Sequence, residues 1–345
     1  MSPLLRRRSA AAPAREPPRR DRAREGGGAD GDGGGVPREV LKQVRLIELR
    51  TRGWVNTVFS GEYLSVFRGQ GMEFSEVRAY QDGDDVRTID WNVTARMGQP
   101  YVKKHVEERE LSVLLAVDLS GSEQFGTRGR YKAELAAEIA AVLALSAVRN
   151  NDRVGLLIFT DHIEHFVPPK KGRRHVLRLI RDVLVFRPRG TGTDLPGALD
   201  YAGRVLPHRS IIFLLSDFLP AASAATAPPA AAAPGVAADA WERTLRVVSR
   251  RHDVVAVSIT DAAEEALPDV GVLAVVDPET GRELAVDTGR QAIRALYAAH
   301  AAGEREAMRR LFRRLGVDEI EVRTDRSYVG PLLAFFRRRE GGRRR

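Results

Sequence analysis

The sequence predicts an α/β protein: a doubly wound, mostly parallel sheet with helices on both faces, preceded by a smaller loop- and β-rich segment. Three observations predict this. Short apolar runs bounded by turn signals recur at 111–118, 153–159, 210–216 and 253–259, and these read as strands. Between them lie stretches with apolar residues at helical spacing. Finally, the run at 111–117 is almost continuously hydrophobic, as expected of a parallel strand buried on both faces.

Taken in order, residues 36–52 read as a helix, with Val40, Leu41, Val44, Leu46, Ile47 and Leu49 at near-helical spacing and Gly53 to stop it. From Trp54 to about Glu110 the pattern is short and loop-rich. The alternating part then runs strand 111–118, helix 131–149, strand 153–159, helix 173–185, helix 194–205, strand 210–216, helix 240–251 and strand 253–259. Residues 162–167 suit a short edge strand. Residues 272–276 and 283–286 flank Asp277-Pro278-Glu279-Thr280-Gly281 and read as a hairpin. A long helix at 290–315, a strand at 319–323 and a closing helix at 328–338 complete the unit, with no internal repeat. The Ala- and Pro-rich stretch 221–238 has the composition of a disordered insert.

The chain has 345 residues, 43% of them hydrophobic, which is ample for a core. It has no cysteine, so disulfides and thiolate metal sites are excluded. The net charge of +9 is carried mostly at the ends: residues 1–35 hold +3 and residues 337–345 hold +5. A nucleic-acid-binding fold would more often concentrate that charge on a folded face, so no specific nucleic acid is expected. Residues 1–35 and 339–345 are expected to be basic tails, the first disordered. Near an anionic membrane such tails gain about 1 kcal/mol per basic residue, which makes peripheral contact an option. No apolar stretch is long enough to span a bilayer, and the expectation is a cytoplasmic protein.

The chemistry concentrates where strand 111–118 ends. Asp118-Leu119-Ser120-Gly121-Ser122 gathers a carboxylate and two hydroxyls on one tight loop at a strand tip, where open α/β sheets bind ligands. These are hard oxygen donors, suited to Mg²⁺ or Mn²⁺, and they leave an octahedral shell incomplete. Strand 210–216 also ends in an acid, Asp217, and Thr193 lies in a Gly-punctuated loop leading into a helix. Either has a plain alternative as a helix cap.

In this order and context, the three loops resemble the metal-ion-dependent adhesion site of von Willebrand factor type A domains. Asp118, Ser120 and Ser122 match the first loop of that site, Thr193 the second and Asp217 the third. Upstream, Gly69-Gln70-Gly71-Met72-Glu73-Phe74, then Gly83-Asp84-Asp85-Val86-Arg87-Thr88-Ile89-Asp90-Trp91, then Thr94-Ala95-Arg96, resemble the bacterial domain-of-unknown-function family 58, as does the ending Pro331-Leu332-Leu333-Ala334-Phe335-Phe336. The resemblance covers roughly residues 54–340. It implies a non-enzymatic module gripping a partner's carboxylate through a divalent cation, and a MoxR-type AAA+ ATPase as the protein partner.

Within the upstream block, Asp84, Asp85, Arg87, Asp90 and Trp91 admit two readings. The carboxylates could bind a cation or a partner, or serve as acid and base. The favoured alternative is a clamp in which Arg87 pairs with Asp84 or Asp90 while Ile89 and Trp91 anchor the loop in a core. Other motifs are weaker. His162 and His165 face opposite sides of a strand and read as solvated surface; the glycines at 126–129 lack phosphate-loop spacing; no nucleophile elbow occurs. After Ser122 come Glu123 and Gln124, close enough for Glu123 to compete as a ligand. Two alternatives to the binding module stay open, a metal-dependent hydrolase at the same crevice and a metal-free scaffold.

Overall fold

The computed structural model describes residues 42, 44–49, 51, 72–107, 111–126, 130–219, 236–276 and 283–343. The chain divides into two compact units, Met1–Val36 and Pro37–Arg345, and every described residue belongs to the second. The expected tail at 1–35 and most of the Ala/Pro stretch at 221–238 lie outside the described residues.

The first described strands, β1 (Met72–Ala79) and β2 (Tyr101–Glu107), form an antiparallel pair with α1 (Trp91–Met97) between them. The main sheet contains β3 (Ser112–Asp118), β4 (Arg153–Phe159), β5 (Ile163–Lys170), β6 (Ile211–Ser216), β7 (Asp253–Thr260) and β10 (Asp318–Arg323). A separate hairpin is formed by β8 (Val272–Val276) and β9 (Glu283–Asp287). The main sheet's order is β10-β7-β6-β3-β4-β5, parallel throughout except for antiparallel β5 at one edge. This is the mostly parallel, doubly wound sheet that the sequence predicts.

Alternation along each strand feeds two cores. On β3, Val113, Leu115 and Val117 join one apolar cluster, and Leu114 and Ala116 join the other. The first is covered by α2 (Lys132–Arg149), α3 (Arg173–Val185) and α8 (Val329–Arg343), through residues such as Leu135, Val176 and Phe336. The second is covered by α4 (Leu195–Val205), α5 (Val236–Arg251) and α7 (Gln291–Leu315), through Leu199, Leu245 and Phe312. A short helix, α6 (Ala262–Glu265), follows β7. With apolar side chains removed from water on both faces, the strands are fixed in depth, and their C-terminal tips align at one end of the sheet.

At the edge, β5 carries Pro168 and Pro169 and shifts register against β4 between Val154 and Leu156. Opposite them is Gly155, where an added Cβ would lie 2.9 Å from the Val167 carbonyl oxygen and 3.0 Å from the Pro169 ring. The absent side chain lets this edge pack closely.

Three expectations are corrected. Residues 339–343 do not trail as a tail but continue α8, because Arg339 is drawn into a clamp: its guanidinium donates to Asp253 at 2.6 and 2.8 Å and to Asp318 at 2.5 Å. Next, Arg78 rather than Arg87 holds Asp84, through two hydrogen bonds of 2.6 and 2.8 Å. The two meet because the turn after β1 folds back on the strand. Asp85 instead accepts from the Arg87 N–H, and Asp90 caps α1 by accepting from the N–H groups of Asn92 and Val93. Finally, Trp91 is no anchor; as the first residue of α1 it is 68% exposed.

His252, at the end of α5, is buried, and its Nδ1 accepts from the Ser210 N–H at 3.3 Å. Burial, with Arg251 and Arg209 nearby, pushes its pKa down to about 4. A depressed histidine pKa favours the neutral ring in the fold, so stability is lost as pH falls from about 6.5 towards 4, by at most about 3 kcal/mol. Urea midpoints between pH 7 and 4.5 are expected to fall, and less steeply in His252→Asn. An unchanged slope in the variant would remove His252 as the cause.

Candidate metal centre

Two strand tips and a loop between helices supply the site. β3 ends at Asp118, whose carboxylate is fully buried; its Oδ1 accepts from the Ser120 N–H at 2.9 Å, and its Oδ2 accepts from the Ser216 hydroxyl at 2.8 Å. The chain then turns through a short 3-10 segment, Gly121–Gln124, which leaves the Ser120 and Ser122 hydroxyls 3.1 Å apart. Adjacent ligands in a Mg²⁺ octahedron lie about 3 Å apart, so this spacing suits a shared cation.

β6 ends at Ser216, and Asp217 follows. Phe218, next in the chain, takes a left-handed backbone with φ 54°, which is unusual for a bulky residue. Its ring packs against Phe312 and Trp241, and its N–H donates to the Ser216 hydroxyl at 3.1 Å. The aromatic packing holds the strained turn that aims Asp217 across at Asp118.

The second loop, between α3 and α4, is tied in at both ends. The Gly121 N–H donates to the Thr191 carbonyl and the Asp194 N–H to the Thr160 carbonyl, each at 2.8 Å. Thr193 lies half-buried between these ties, and Asp194 caps α4 by accepting from the Gly197 N–H. The acid that fastens the loop is Glu164, next to the histidines that read as surface. It is largely buried and accepts from the Arg189 and Gly190 N–H groups at 2.7 and 2.8 Å. Burial opposes its ionisation, yet those backbone bonds outweigh it and hold its pKa below the usual range. A Cβ on Gly190 would sit 2.3 Å from the Thr160 hydroxyl, so only glycine lets the loop approach. His162 itself remains half-exposed beside Asp161.

Glu123, which the sequence marks as a candidate competing ligand, and two residues that the sequence did not assign, Lys132 and Ser216, complete the arrangement. Glu123 is fully buried, and its Oε1 accepts from the Asp217 N–H at 3.0 Å. Lys132, the first residue of α2, is also fully buried; its ammonium donates to Asp217 at 2.7 Å and to Glu264 at 2.5 Å. Ser216 links Asp118 to the Phe218 turn. A lysine at a helix N-terminus opposes the macrodipole, and that is the one local sign that something else holds Lys132 there.

Ligand oxygens of Asp118, Glu123 and Asp217 lie within 4.8 Å of one another. Opposed ligands around Mg²⁺ are about 4.2 Å apart, so small closing movements would seat the ion. Burial, then the charge of Asp217, pushes Asp118 up to about 7. Burial likewise raises Glu123 and Glu264. For Lys132 burial works against the charge, but Asp217, Glu123 and Glu264 overcome it and keep the ammonium protonated. Asp217, Glu123 and Glu264 thus share one ammonium, with Asp118 beside Asp217, and among the described residues the Glu123 Oε2 is buried with no hydrogen-bond partner. An unpaired buried carboxylate oxygen is costly. The donor set therefore fits a small hard dication.

A cavity of about 560 Å³ opens beside Asp217 and Phe218, and its lining mixes Arg305, Arg309 and Arg323 with Glu265 and Glu321, which pair with them. The block Asp84, Asp85, Arg87, Asp90 and Trp91 is not part of the site; its described hydrogen bonds stay within the β1–β2 segment.

The sheet order and the helices on both faces define a doubly wound, mostly parallel α/β protein. Residues 76–307 match the family described as "Protein of unknown function DUF58". The chain belongs to that family. It is 33% identical over 308 residues to an uncharacterized protein of Mycobacterium tuberculosis, covering 88% of this chain and 91% of that one. It is 29% identical over 180 residues to an uncharacterized protein of Mycobacterium avium, covering 51% of this chain and 95% of that one. Among solved structures it is similar to BatB from Bacteroides thetaiotaomicron, with 15% identity, TM-score 0.40, and 68% of this chain and 98% of that one covered. It is also similar to the SpRpn10 VWA domain, with 10% identity, TM-score 0.33, and 65% and 94% covered. Among the described residues, no helix is long and apolar enough to cross a membrane.

Proposed function

We propose that this protein is a non-enzymatic binding module that grips an acidic residue of a protein partner through Mg²⁺ or Mn²⁺ held by Asp118, Ser120, Ser122, Thr193 and Asp217. One observation carries the reading: buried hard oxygen donors from the tips of β3 and β6 converge within 4.8 Å, with an excess of negative charge that only a cation or protons can offset. The cavity beside Asp217 gives a partner's side chain a way in. By family resemblance the partner is a MoxR-type AAA+ ATPase, with this chain as its adaptor or co-chaperone.

The test is capture of the MoxR-type ATPase of the same organism on the immobilised full chain, in Mg²⁺ and in excess EDTA. Capture is expected in Mg²⁺ only, and Asp118→Asn is expected to abolish it while keeping the wild-type circular dichroism spectrum. Equal capture in EDTA would sink the cation reading. Turnover of phosphate or peptide substrates in Mg²⁺, lost in Asp217→Ala, would favour a hydrolase instead.

A further inference from the structure

We propose that Glu123 is itself a ligand of the cation, filling from within the chain the coordination position that a partner's carboxylate would otherwise take. Partner binding then requires Glu123 to be displaced. This rests on the cation reading above and adds to it a built-in competitor.

The geometry separates the two oxygens of Glu123. Oε1 is committed to the Asp217 N–H, which ties the side chain to the loop after β6. Oε2 is buried and has no hydrogen-bond partner among the described residues, and Glu123 places a carboxylate oxygen within 4.8 Å of oxygens of Asp118 and Asp217. Every other carboxylate of the cluster is engaged at both oxygens or pairs with the ammonium: Asp118 with Ser120 and Ser216, Asp217 with Leu219 and Lys132, and Glu264 with Asp261 and Lys132. A carboxyl oxygen left without a partner at full burial is expensive, and a dication among these ligands removes that cost. The Lys132 ammonium is near enough to favour the Glu123 charge but makes its described hydrogen bonds to Asp217 and Glu264.

The position of Glu123 makes the arrangement reversible. It lies in a one-turn 3-10 segment between Ser122 and the exposed Phe125, not on a strand or a long helix. Swinging it out breaks a single described hydrogen bond to protein, the one from the Asp217 N–H. An incoming carboxylate of the same chemistry would replace it at the metal. The cation would thus be closed when alone and opened only by a competing acid.

The experiment uses the full chain, Mn²⁺ and the Glu123→Gln variant. Glutamine keeps an Oε1 acceptor for the Asp217 N–H but puts an amide NH₂, which cannot coordinate, in place of Oε2. Mn²⁺ affinity is read by electron paramagnetic resonance, and the number of metal-bound waters by water-proton relaxation. Glu123→Gln is expected to bind Mn²⁺ at least about tenfold more weakly and to show higher relaxation per bound ion, since water enters the vacated position. Removing a nearby charge would by itself weaken binding without adding a water, so the relaxation change is decisive. Equal relaxation in both proteins would overturn the role of Glu123 and leave the cation site standing. Failure of the wild-type chain to bind Mn²⁺ would overturn the cation reading, and this inference with it. Matching unfolding midpoints in EDTA guard against a folding defect.

Discussion

Lys132→Met is expected to destabilise the metal-free protein by about 3–5 kcal/mol, because it strips the one described ammonium from a buried group of acids. Methionine matches the length of the lysine stem, so little packing is lost and the effect is electrostatic. The carboxyl groups of Asp217 and Glu264 would face each other without the charge between them. Chemical denaturation in EDTA reads the loss. Repeating it with saturating Mg²⁺ or Mn²⁺ is expected to recover part of it, since a ligand that binds only the folded state adds stability by mass action. The same loss with and without the dication would mean that no cation enters the cluster.

Arg339→Ala is expected to cost roughly 3 kcal/mol and to loosen α8 selectively. Its guanidinium bridges Asp253 at the start of β7 and Asp318 at the start of β10, and it lies 5.2 Å from the Phe335 ring centre. Removing it leaves Asp253 nearly buried without its described partner. Hydrogen exchange along 329–340 is expected to speed up well before the central strands respond. Adding Asp253→Leu should restore much of the loss, since replacing a buried pair with apolar groups is often neutral. Uniformly faster exchange across the sheet would instead make Arg339 a general determinant of the fold.

Much of the architecture was legible because the main strands are buried on both faces. A run such as 111–118 has little choice but to be a central strand, and the structure places β3 at 112–118. Helix limits came within a few residues for the same reason: apolar spacing stops where capping begins, as at Asp194 and Gly316. The first-loop donors could be listed because they are neighbours in sequence. What stayed hidden depends on distant partners. Lys132 meets Asp217 across 85 residues and Glu264 across 132, and no local pattern announces either contact. Arg87 looked like the clamp for Asp84 because it is near in sequence, but a strand followed by a tight turn brings Arg78 back to it instead. Asp90 was the opposite case: its capping role follows a purely local rule, obscured by the charges around it. Glu123 was visible as a neighbour of the motif, but only its burial and its bare oxygen give it a role.

The proline-bearing edge of the sheet narrows how anything can attach to this protein. Pro168 and Pro169 have no N–H to offer, and β5 ends in Lys170 and is followed by Lys171. A guest strand laid along that border would find missing donors and a concentration of positive charge, so the sheet is closed there to lengthening by another chain's backbone. Recognition at this border has to rely on side chains rather than on shared strand hydrogen bonding. That shifts attention to the opposite geometry, a partner arriving end-on at the strand tips and presenting one residue at a time.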